Sequence, residues 1–547
     1  MVTKVLSGMV RGIESFPVYV ETDISNGMPT FDLVGYLSSE VKEARERVRT
    51  ALNNSGISLP LSHITANLSP ANLRKSGTGF DLPIALSILI CMGTVPEKSL
   101  ENTFVAGEMM LSGEITSTRG ILPMLIMAKS QGVKRALIPQ DNIEEGSIVE
   151  GIDVFGVSSI EEVIAFLKGE KSLEKIRSVL YERLNMKKYY ENDFSQIKGQ
   201  ALAKRGAEIA AAGLHNILLT GPPGAGKSLI SKCIPSILPP LSQEECLEVS
   251  TIYSVKGALD KENPLITTRP FIAAHHTSTD IALIGGGGIP RPGAVSLAHK
   301  GVLFLDEIPE FSRNALEALR QPLEDKVVNI TRSRDVCIFP SDFMLVAAMN
   351  PCPCGHFPDR NKCNCTESAR EKYMAKISGP LLDRIDICIT VEKVPLTEII
   401  NRGSSTRESE LDTYENRYGL HNVDANRKTE LNNAINAKNG LHNTRHIEAS
   451  EDIRKRVVAA RYIQENRFKG TDIGFNSQMN NFQIEKFCEI GGKEARLLEQ
   501  LSAKYNISAR SYYRILRVSR TIADLAGEER IREEHLLEAA RLKLNYK

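Results

Sequence analysis

The 547-residue chain lacks an excess of charge of either sign: 68 lysines and arginines face 67 aspartates and glutamates, and the formal net charge is +1. A nucleic-acid or membrane-surface role therefore leaves no footprint in the global charge, and any basic surface must be local. Long apolar runs are also missing. The longest, LPIALSILICMG at 82–93, falls well short of the roughly 20 residues that span a bilayer. The opening MVTKVLSGMVRGIESF has no unbroken apolar core of the kind a secretion signal carries, so a cytoplasmic protein is expected. No internal repeat of fixed period is visible. Six of the ten cysteines stand alone, and in a reducing compartment structural disulfides are not expected. What remains is an ordinary soluble composition, 42% hydrophobic and 25% charged, long enough for three or four domains at roughly 150 residues each.

Along the chain the patterning changes character. Residues 1–170 alternate short strand-like runs (VYVETDI, TFVAGEMM, GVKRALIP) with helical ones (SSEVKEARERVRTAL, SIEEVIAFLKG). A polar helical linker is expected over 171–195. Over 196–395, strand–loop–helix units with glycine-rich loops predict a parallel α/β sheet. Residues 396–448 are expected to form an insertion, and its 403–448 part is rich in Asn, Arg, Ser and Glu and poor in apolar side chains. From 449 to 547 the reading is all helical.

The sharpest signal is NILLTGPPGAGKSLISKCI from Asn216: an apolar strand, then G-x-x-x-x-G-K-S, then a helix, which is the context a phosphate-binding loop requires. Gly221, Pro222, Pro223, Gly224, Ala225 and Gly226 form the loop. Its glycines let the backbone curl so that N–H groups face phosphate oxygens at a helix N-terminus. Lys227 is placed to reach the β- and γ-phosphates of ATP and Ser228 to ligate magnesium. GVLFLDEIPEF at 301–311 is a buried strand ending in Asp306, a holder of the magnesium water shell, and Glu307, a general base for the attacking water. DFMLVAAMNPC at 342–352 is a third buried strand, ending in Asn350 between that water and the γ-phosphate. Arg384, in KISGPLLDRIDICI, suits the charge of phosphoryl transfer, supplied from a neighbouring subunit, or else forms a surface ion pair with Asp383 or Asp386. Arg510, Arg514 and Arg517 share one helical face at i, i+4 and i+7 and are expected to face an anion, ATP or nucleic acid.

NPCPCGHFPDRNKCNC at 350–365 carries two C-x-C pairs, Cys352/Cys354 and Cys363/Cys365. Two readings stay open: a four-thiolate zinc site, with His356 as a spare ligand, or a reduced loop.

Together these motifs look like an ATPase of the AAA+ class. More closely, PFIAAHHTSTDIALIGGGGIPRPGAVSLAHKGVLFLDEIPEF, ALRQPLEDKVVNITR, MNPCPCG, ISGPLLDRIDI and ISARSYYRILRVSRTIADL resemble the magnesium-chelatase-like AAA+ ATPases of the ComM/YifB family. The resemblance covers nearly the whole chain apart from the Asn-rich insertion. It implies an AAA+ P-loop α/β core, a C-terminal helical lid, and a homo-hexameric ring with ATP at subunit interfaces. It makes Lys227 and Ser228 Walker A, Asp306 and Glu307 Walker B, Asn350 sensor 1, Arg384 the arginine finger and Arg510 sensor 2. It further implies ATP-driven branch migration of DNA, with single-stranded or branched DNA and recombination proteins as partners and no membrane. In related ring motors, loops placed like the His275, His276, GGGG, Arg291, His299 and Lys300 segment and the hairpin bearing Arg332 and Arg334 face the pore. Their basic groups are candidates to grip phosphates, or else to serve the ATP site or subunit interface.

The N-terminal region resembles the proteolytic domain of Lon proteases, in HITANLSPANLRKSGTGFDLPIALSIL and GEITSTRGILPMLIMAKSQGVKRALIP. A serine–lysine dyad would need Ser beside the GTGFDLP turn and Lys just after ILPM. Phe80 and Asp81 stand in the first place and Leu125 and Ile126 in the second, while Lys75, Ser76 and Lys129 fall nearby but out of position. An α+β scaffold without peptidase activity is expected. The competing function is a chelatase-type ATPase that remodels a protein partner for metal insertion. That role normally uses a D-x-S-x-S metal-binding module, a pattern that DISNG at 23–27 breaks.

Overall fold

The computed structural model describes residues 3–178, 180, 184, 190–332, 335–394, 448–505 and 507–544. The expected insertion over 396–448 apart from residue 448, residues 179, 181–183 and 185–189 of the 171–195 linker, and Arg334 lie outside the described residues, and so does the side chain of Arg332.

The N-terminal part is built on a seven-stranded mixed sheet. Thr3–Arg11 and Glu14–Ser25 form an antiparallel hairpin at its centre. The hairpin is flanked on one side by His63–Ser69 and Thr30–Val34, and on the other by Thr103–Val105, Arg135–Pro139 and Asp153–Val157. The alternation in the first two strands follows the burial: Val18 and Val20 point inward and are fully buried. Against the sheet packs Asp81–Cys91, almost wholly buried, which is why this run is apolar on every face. Ser39–Asn54 instead buries one stripe, Val41, Ala44, Val48, Ala51 and Leu52.

The second sheet has five parallel strands in the order Phe271–Ala274, Val302–Leu305, Met344–Met349, Ile217–Thr220, Ile387–Thr390. This order positions the site. The strand leading to Asn350 lies between the phosphate-loop strand and the strand leading to Asp306, so all three carboxyl ends meet at one edge, where open parallel sheets bind ligands. The three apolar runs are continuous rather than alternating because the sheet is covered on both faces.

The C-terminal helices Ser450–Arg467, Asn481–Phe487, Gly492–Tyr505, Ala509–Leu525 and Glu533–Leu544 share one hydrophobic core with the helices Ala201–Gly213 and Lys227–Ile237. The N-terminal part is tied to the second sheet through the helix Gln243–Lys256, which packs on Ile121–Ser130. Buried Glu145 accepts from Ser254 Oγ and from the Leu122 amide, and the Gly120 amide donates to Ser254 O.

Candidate functional site

The phosphate loop runs from the end of Ile217–Thr220 into the helix that starts at Lys227. Gly224 and Gly226 lie in the left-handed region, at φ +77° and +92°. Gly221 is demanded by proximity: a Cβ there would come 2.1 Å from the carbonyl oxygen of Val391, just past the end of the neighbouring strand. Pro222 O and Gly221 O both accept from Lys227 Nζ, which also donates to Asn350 Oδ1 at 3.1 Å. Burial pulls the Lys227 pKa below the ordinary lysine value, while the charges of Asp306 and Glu307 pull the other way. Ser228 Oγ donates to Asp306 Oδ2 at 3.1 Å. Lys227, Ser228, Asp306 and Asn350, separated by up to 123 residues in sequence, thus form one connected group.

Glu307 follows Asp306 in a left-handed conformation, φ 51° and ψ 47°, and its amide donates to Asp306 Oδ1 at 3.0 Å. A non-glycine residue held there costs on the order of 1–2 kcal/mol. The turn is followed at once by a 3-10 segment with Pro309. His276 Nδ1 lies 3.7 Å from Glu307 Oε2, and the His276 ring packs on that of His275 with centroids 4.1 Å apart.

The arginines form a second group. Arg384 Nη1 donates to Pro380 O at 2.6 Å, and its other arm pairs with Glu324. Its Nε is buried with no hydrogen-bond partner. Burial first, then the charges of Arg320, Arg514 and Arg510, push its pKa below the ordinary arginine value. Arg510 is largely exposed and reaches Asp383 at 3.4 Å. Among the described residues, neither Arg384 nor Arg510 has a hydrogen bond or ion pair with Lys227, Asp306 or Glu307. The ion pairs weighed for Arg384 from the sequence, with Asp383 or Asp386, are not the ones formed.

Two expectations need correction. Arg514 and Arg517 do not face a ligand anion; they face Asp386, with Arg514 3.4 Å from it. Asp386 also hydrogen-bonds His215 Nδ1 at 3.2 Å, and His215 Nε2 meets Thr521 Oγ1 at 2.8 Å. Burial alone would raise the Asp386 pKa, but the His215 hydrogen bond and the Arg514 charge hold it well below the usual carboxylate range. Next, His299 and Lys300 are not on a protruding loop. His299 is buried, accepts from the Asp342 amide and pairs with Glu248 at 3.2 Å; Lys300 pairs with Asp342 at 3.3 Å. They brace the start of the Val302–Leu305 strand. The segment before them forms a short helix, Asp280–Ile284, and a small hairpin, Gly285–Gly286 with Arg291–Pro292, and Arg291 and the tip residue Ile289 are exposed. Val327–Arg332 and Asp335–Pro340 pair as the expected hairpin, on which Val336 and Ile338 are exposed; Arg334 and the side chain of Arg332, the bases expected near its turn, lie outside the described residues.

The four cysteines converge. Their sulfur atoms all lie within 4.8 Å of one another, Cys352 is the buried one of the four, and His356 is not among them. In the N-terminal part, Phe80 is core and Asp81 is fully buried in a two-pronged pair with Arg47, at 2.7 and 2.8 Å. Lys75 is buried with its ammonium on Pro70 O, Ser76 is half-buried, and Lys129 is exposed beside Gly151. Arg320, Glu324 and the His276–Glu307 approach carried no separable sequence signal, because each gains meaning only from a partner distant in sequence. No helix among the described residues is long and apolar enough to cross a membrane.

Comparison with known proteins matches this arrangement. The family model described as "Magnesium chelatase, subunit ChlI" matches residues 193–399, "Subunit ChlI of Mg-chelatase" matches 20–142, and "Magnesium chelatase, subunit ChlI C-terminal" matches 447–543. The chain is 36% identical over 537 residues to competence protein ComM of Haemophilus influenzae, covering 98% of this chain and 96% of that protein. It is 35% identical over 531 residues to the uncharacterized protein YifB of Escherichia coli, covering 96% and 94%. More distantly, it is 24% identical over 254 residues to Lon protease 2 of Bacillus subtilis, covering 42% and 46%.

Proposed function

The chain belongs to the magnesium-chelatase-like AAA+ ATPase family that includes ComM and YifB, and from that membership and the geometry of the site we propose that it is an ATP-hydrolysing ring motor that acts on DNA. Lys227 binds the β- and γ-phosphates. The Ser228 hydroxyl and the Asp306 carboxylate are oxygen donors already directed at one another, a set that suits magnesium. When bound, magnesium would neutralise phosphate charge. Glu307 takes the proton of the attacking water, and Asn350, fixed by Lys227, orients that water toward the γ-phosphate.

The observation that carries the ring is the separation of the two groups. The hydrolytic residues gather at one sheet edge, while Arg384, with its buried unpartnered Nε, and Arg510 belong to another cluster. A full complement for phosphoryl transfer is then met by two copies, one giving the phosphate loop and the other the arginines. The resemblance implies a hexamer. The DNA client follows from the likeness to a competence protein and from the exposed glycine-rich hairpin bearing Arg291. The N-terminal part serves as a Lon-like scaffold without peptidase activity, a reading supported by the burial of Phe80 and the Asp81–Arg47 pair where a nucleophile would be needed.

ATPase assays with no DNA, single-stranded DNA and branched DNA test this reading. Strong stimulation that Glu307→Gln removes is the expected result. No response and no DNA binding at low salt would overturn the DNA client. The second reading, a chelatase-type remodeller of a protein partner, is favoured by the family descriptions, all of them magnesium-chelatase subunits. It predicts stimulation by a protein carrying an integrin-like metal-binding module and none by DNA.

A further inference from the structure

We propose that Cys352, Cys354, Cys363 and Cys365 hold a structural zinc ion, and that this ion seats Asn350 and the phosphate loop so that ATP turnover depends on it. The site goes beyond the motor reading and stands whether or not DNA is the client.

The first argument is metric. Zinc–thiolate bonds of about 2.3 Å in a tetrahedron require sulfur–sulfur edges of about 3.8 Å. Cys352 Sγ lies 3.3 Å from Cys354 Sγ and 3.7 Å from Cys363 Sγ, and Cys354 and Cys363 are 3.6 Å apart. All four sulfurs fall within 4.8 Å of each other. That spacing suits one ion and is too tight for ligands spread around an iron–sulfur cube. The Phe357 amide also points at Cys352 Sγ, 3.4 Å away, an outer-shell donor of the kind that stabilises a bound thiolate.

The second argument is what else could order this segment. None of residues 353–366 belongs to a hydrophobic core cluster, and the segment has neither helix nor strand. Its backbone bonds are isolated turns, Gly355 to Cys352 O, Asp359 to His356 O, and Lys362 and Cys363 to Asp359 O. The one large apolar side chain, Phe357, is capped by the Arg370 guanidinium at 4.1 Å rather than buried. Fixing each residue costs roughly 1–2 kcal/mol of backbone entropy, which turns alone do not offset. A four-point metal cross-link does, because its binding free energy is also folding free energy.

The third argument is position. Asn350 lies two residues before Cys352, and its Oδ1 takes Lys227 Nζ. Between the two C-x-C pairs, Gly355 sits at φ +78°, so close to the phosphate loop that a Cβ would come 2.8 Å from Pro223 Cδ. The knot therefore touches the ATP site at two points, the sensor side chain and the phosphate-loop proline. In binding, four thiols would give up four protons and one Zn²⁺ would form four Zn–S bonds, with no change of oxidation state.

The test uses the full chain purified in chelator-free, reducing buffer. Elemental analysis is expected to find about one zinc per chain, released in step with titration of four thiols by an organomercurial. Reconstitution with cobalt(II) should give the intense visible bands of a tetrahedral tetrathiolate. Cys363→Ser/Cys365→Ser should lose the metal and at least tenfold in kcat. To separate metal loss from a folding defect of that variant, wild-type protein is also stripped with organomercurial, thiol and chelator. Turnover should fall, nucleotide binding should remain measurable, and zinc should restore the rate. Less than a tenth of an equivalent of zinc with all four thiols freely titratable, iron in place of zinc, or disulfides between the cysteines would each overturn the site. Stoichiometric zinc whose removal leaves kcat unchanged would overturn its coupling to ATP.

Discussion

Ser228 Oγ donates a 3.1 Å hydrogen bond to Asp306 Oδ2 across 78 residues of sequence. The hydroxyl at the start of one helix and the carboxylate at the end of a strand two places away in the sheet share one point in space, and a divalent cation beside phosphate would take both as ligands or outer ligands. Ser228→Ala is therefore expected to raise the magnesium concentration needed for half-maximal ATPase and to lower kcat by roughly 10–100-fold. A magnesium titration of wild type and variant checks this; identical curves would remove Ser228 from the metal site.

Glu307 and Asn350 should separate binding from chemistry. Glu307→Gln keeps the shape of the side chain and removes the base, so turnover should drop by about 10²–10⁴-fold with ATP affinity little changed. Asn350→Ala releases Lys227 Nζ from one of its partners and should lower kcat more than it raises KM. Equal loss in nucleotide binding, measured with a fluorescent analogue, would mean that these residues hold ATP rather than act on it.

The division into two groups of residues predicts complementation. Arg384→Ala should abolish turnover while sparing ATP binding, whereas Lys227→Ala should abolish turnover by removing ATP binding. Mixed in one assembly, the two inactive variants should recover part of the activity, because some interfaces then pair an intact phosphate loop with an intact Arg384. Wild-type turnover in Arg384→Ala would remove that residue from catalysis, and no recovery at any mixing ratio would place both groups' work within one chain.

Gly221 offers a steric test. The Cβ of Gly221→Ala would meet the Val391 carbonyl oxygen at 2.1 Å, a backbone atom that cannot rotate aside. The variant should lose ATP binding and lower Tm, whereas Gly379→Ala, where a Cβ meets nothing within 4 Å, should change neither. Calorimetry and nucleotide titration of the pair check this.

Asp386 ties the sheet to the C-terminal helices through His215, Thr521 and Arg514. Replacing it by alanine leaves Arg514 and Arg517 without their buried counter-charge, a loss expected to cost about 3–5 kcal/mol. Its folded pKa is depressed, so the ionised pair contributes stability above the unfolded carboxyl pKa of about 3.9. That contribution fades as pH falls below this value toward the folded pKa. The gap in unfolding free energy between wild type and Asp386→Ala should thus be wide near neutrality and narrow below about pH 4. A gap that stays constant with pH would mean that the charge of Asp386 is not what stabilises the junction.

Much of the site is legible in the sequence, and for identifiable reasons. The loop Gly221–Ser228, the strand ends at Asp306 and Asn350, and the hairpin 327–340 announce themselves locally, because phosphate binding, buried parallel strands and hairpin turns each impose contiguous patterns. The arginines misled for the converse reason. Arg510, Arg514 and Arg517 share a helical face in sequence, but a helix wheel cannot say that Asp386 waits opposite the last two. His299 and Lys300 read as loop bases because their partners, Glu248 and Asp342, are tens of residues away. The expected insertion over 396–448, apart from residue 448, lies outside the described residues.

The sequence alone determined the elements and the chemical inventory: a phosphate loop, two acidic residues after a buried strand, a polar residue after another, and four clustered thiols. Short-range forces suffice for that, since helix and strand periodicity, glycine freedom and motif spacing act within a few residues. Only the tertiary structure decided which of these meet. The strand order sets Met344–Met349 between its two partners and so brings Asn350 to Lys227. Burial of Asp386 turns two arginines inward and leaves Arg384 and Arg510 in a separate cluster. Those outcomes depend on long-range packing and on the cost of leaving a buried charge unpaired, terms that no local stretch of sequence contains.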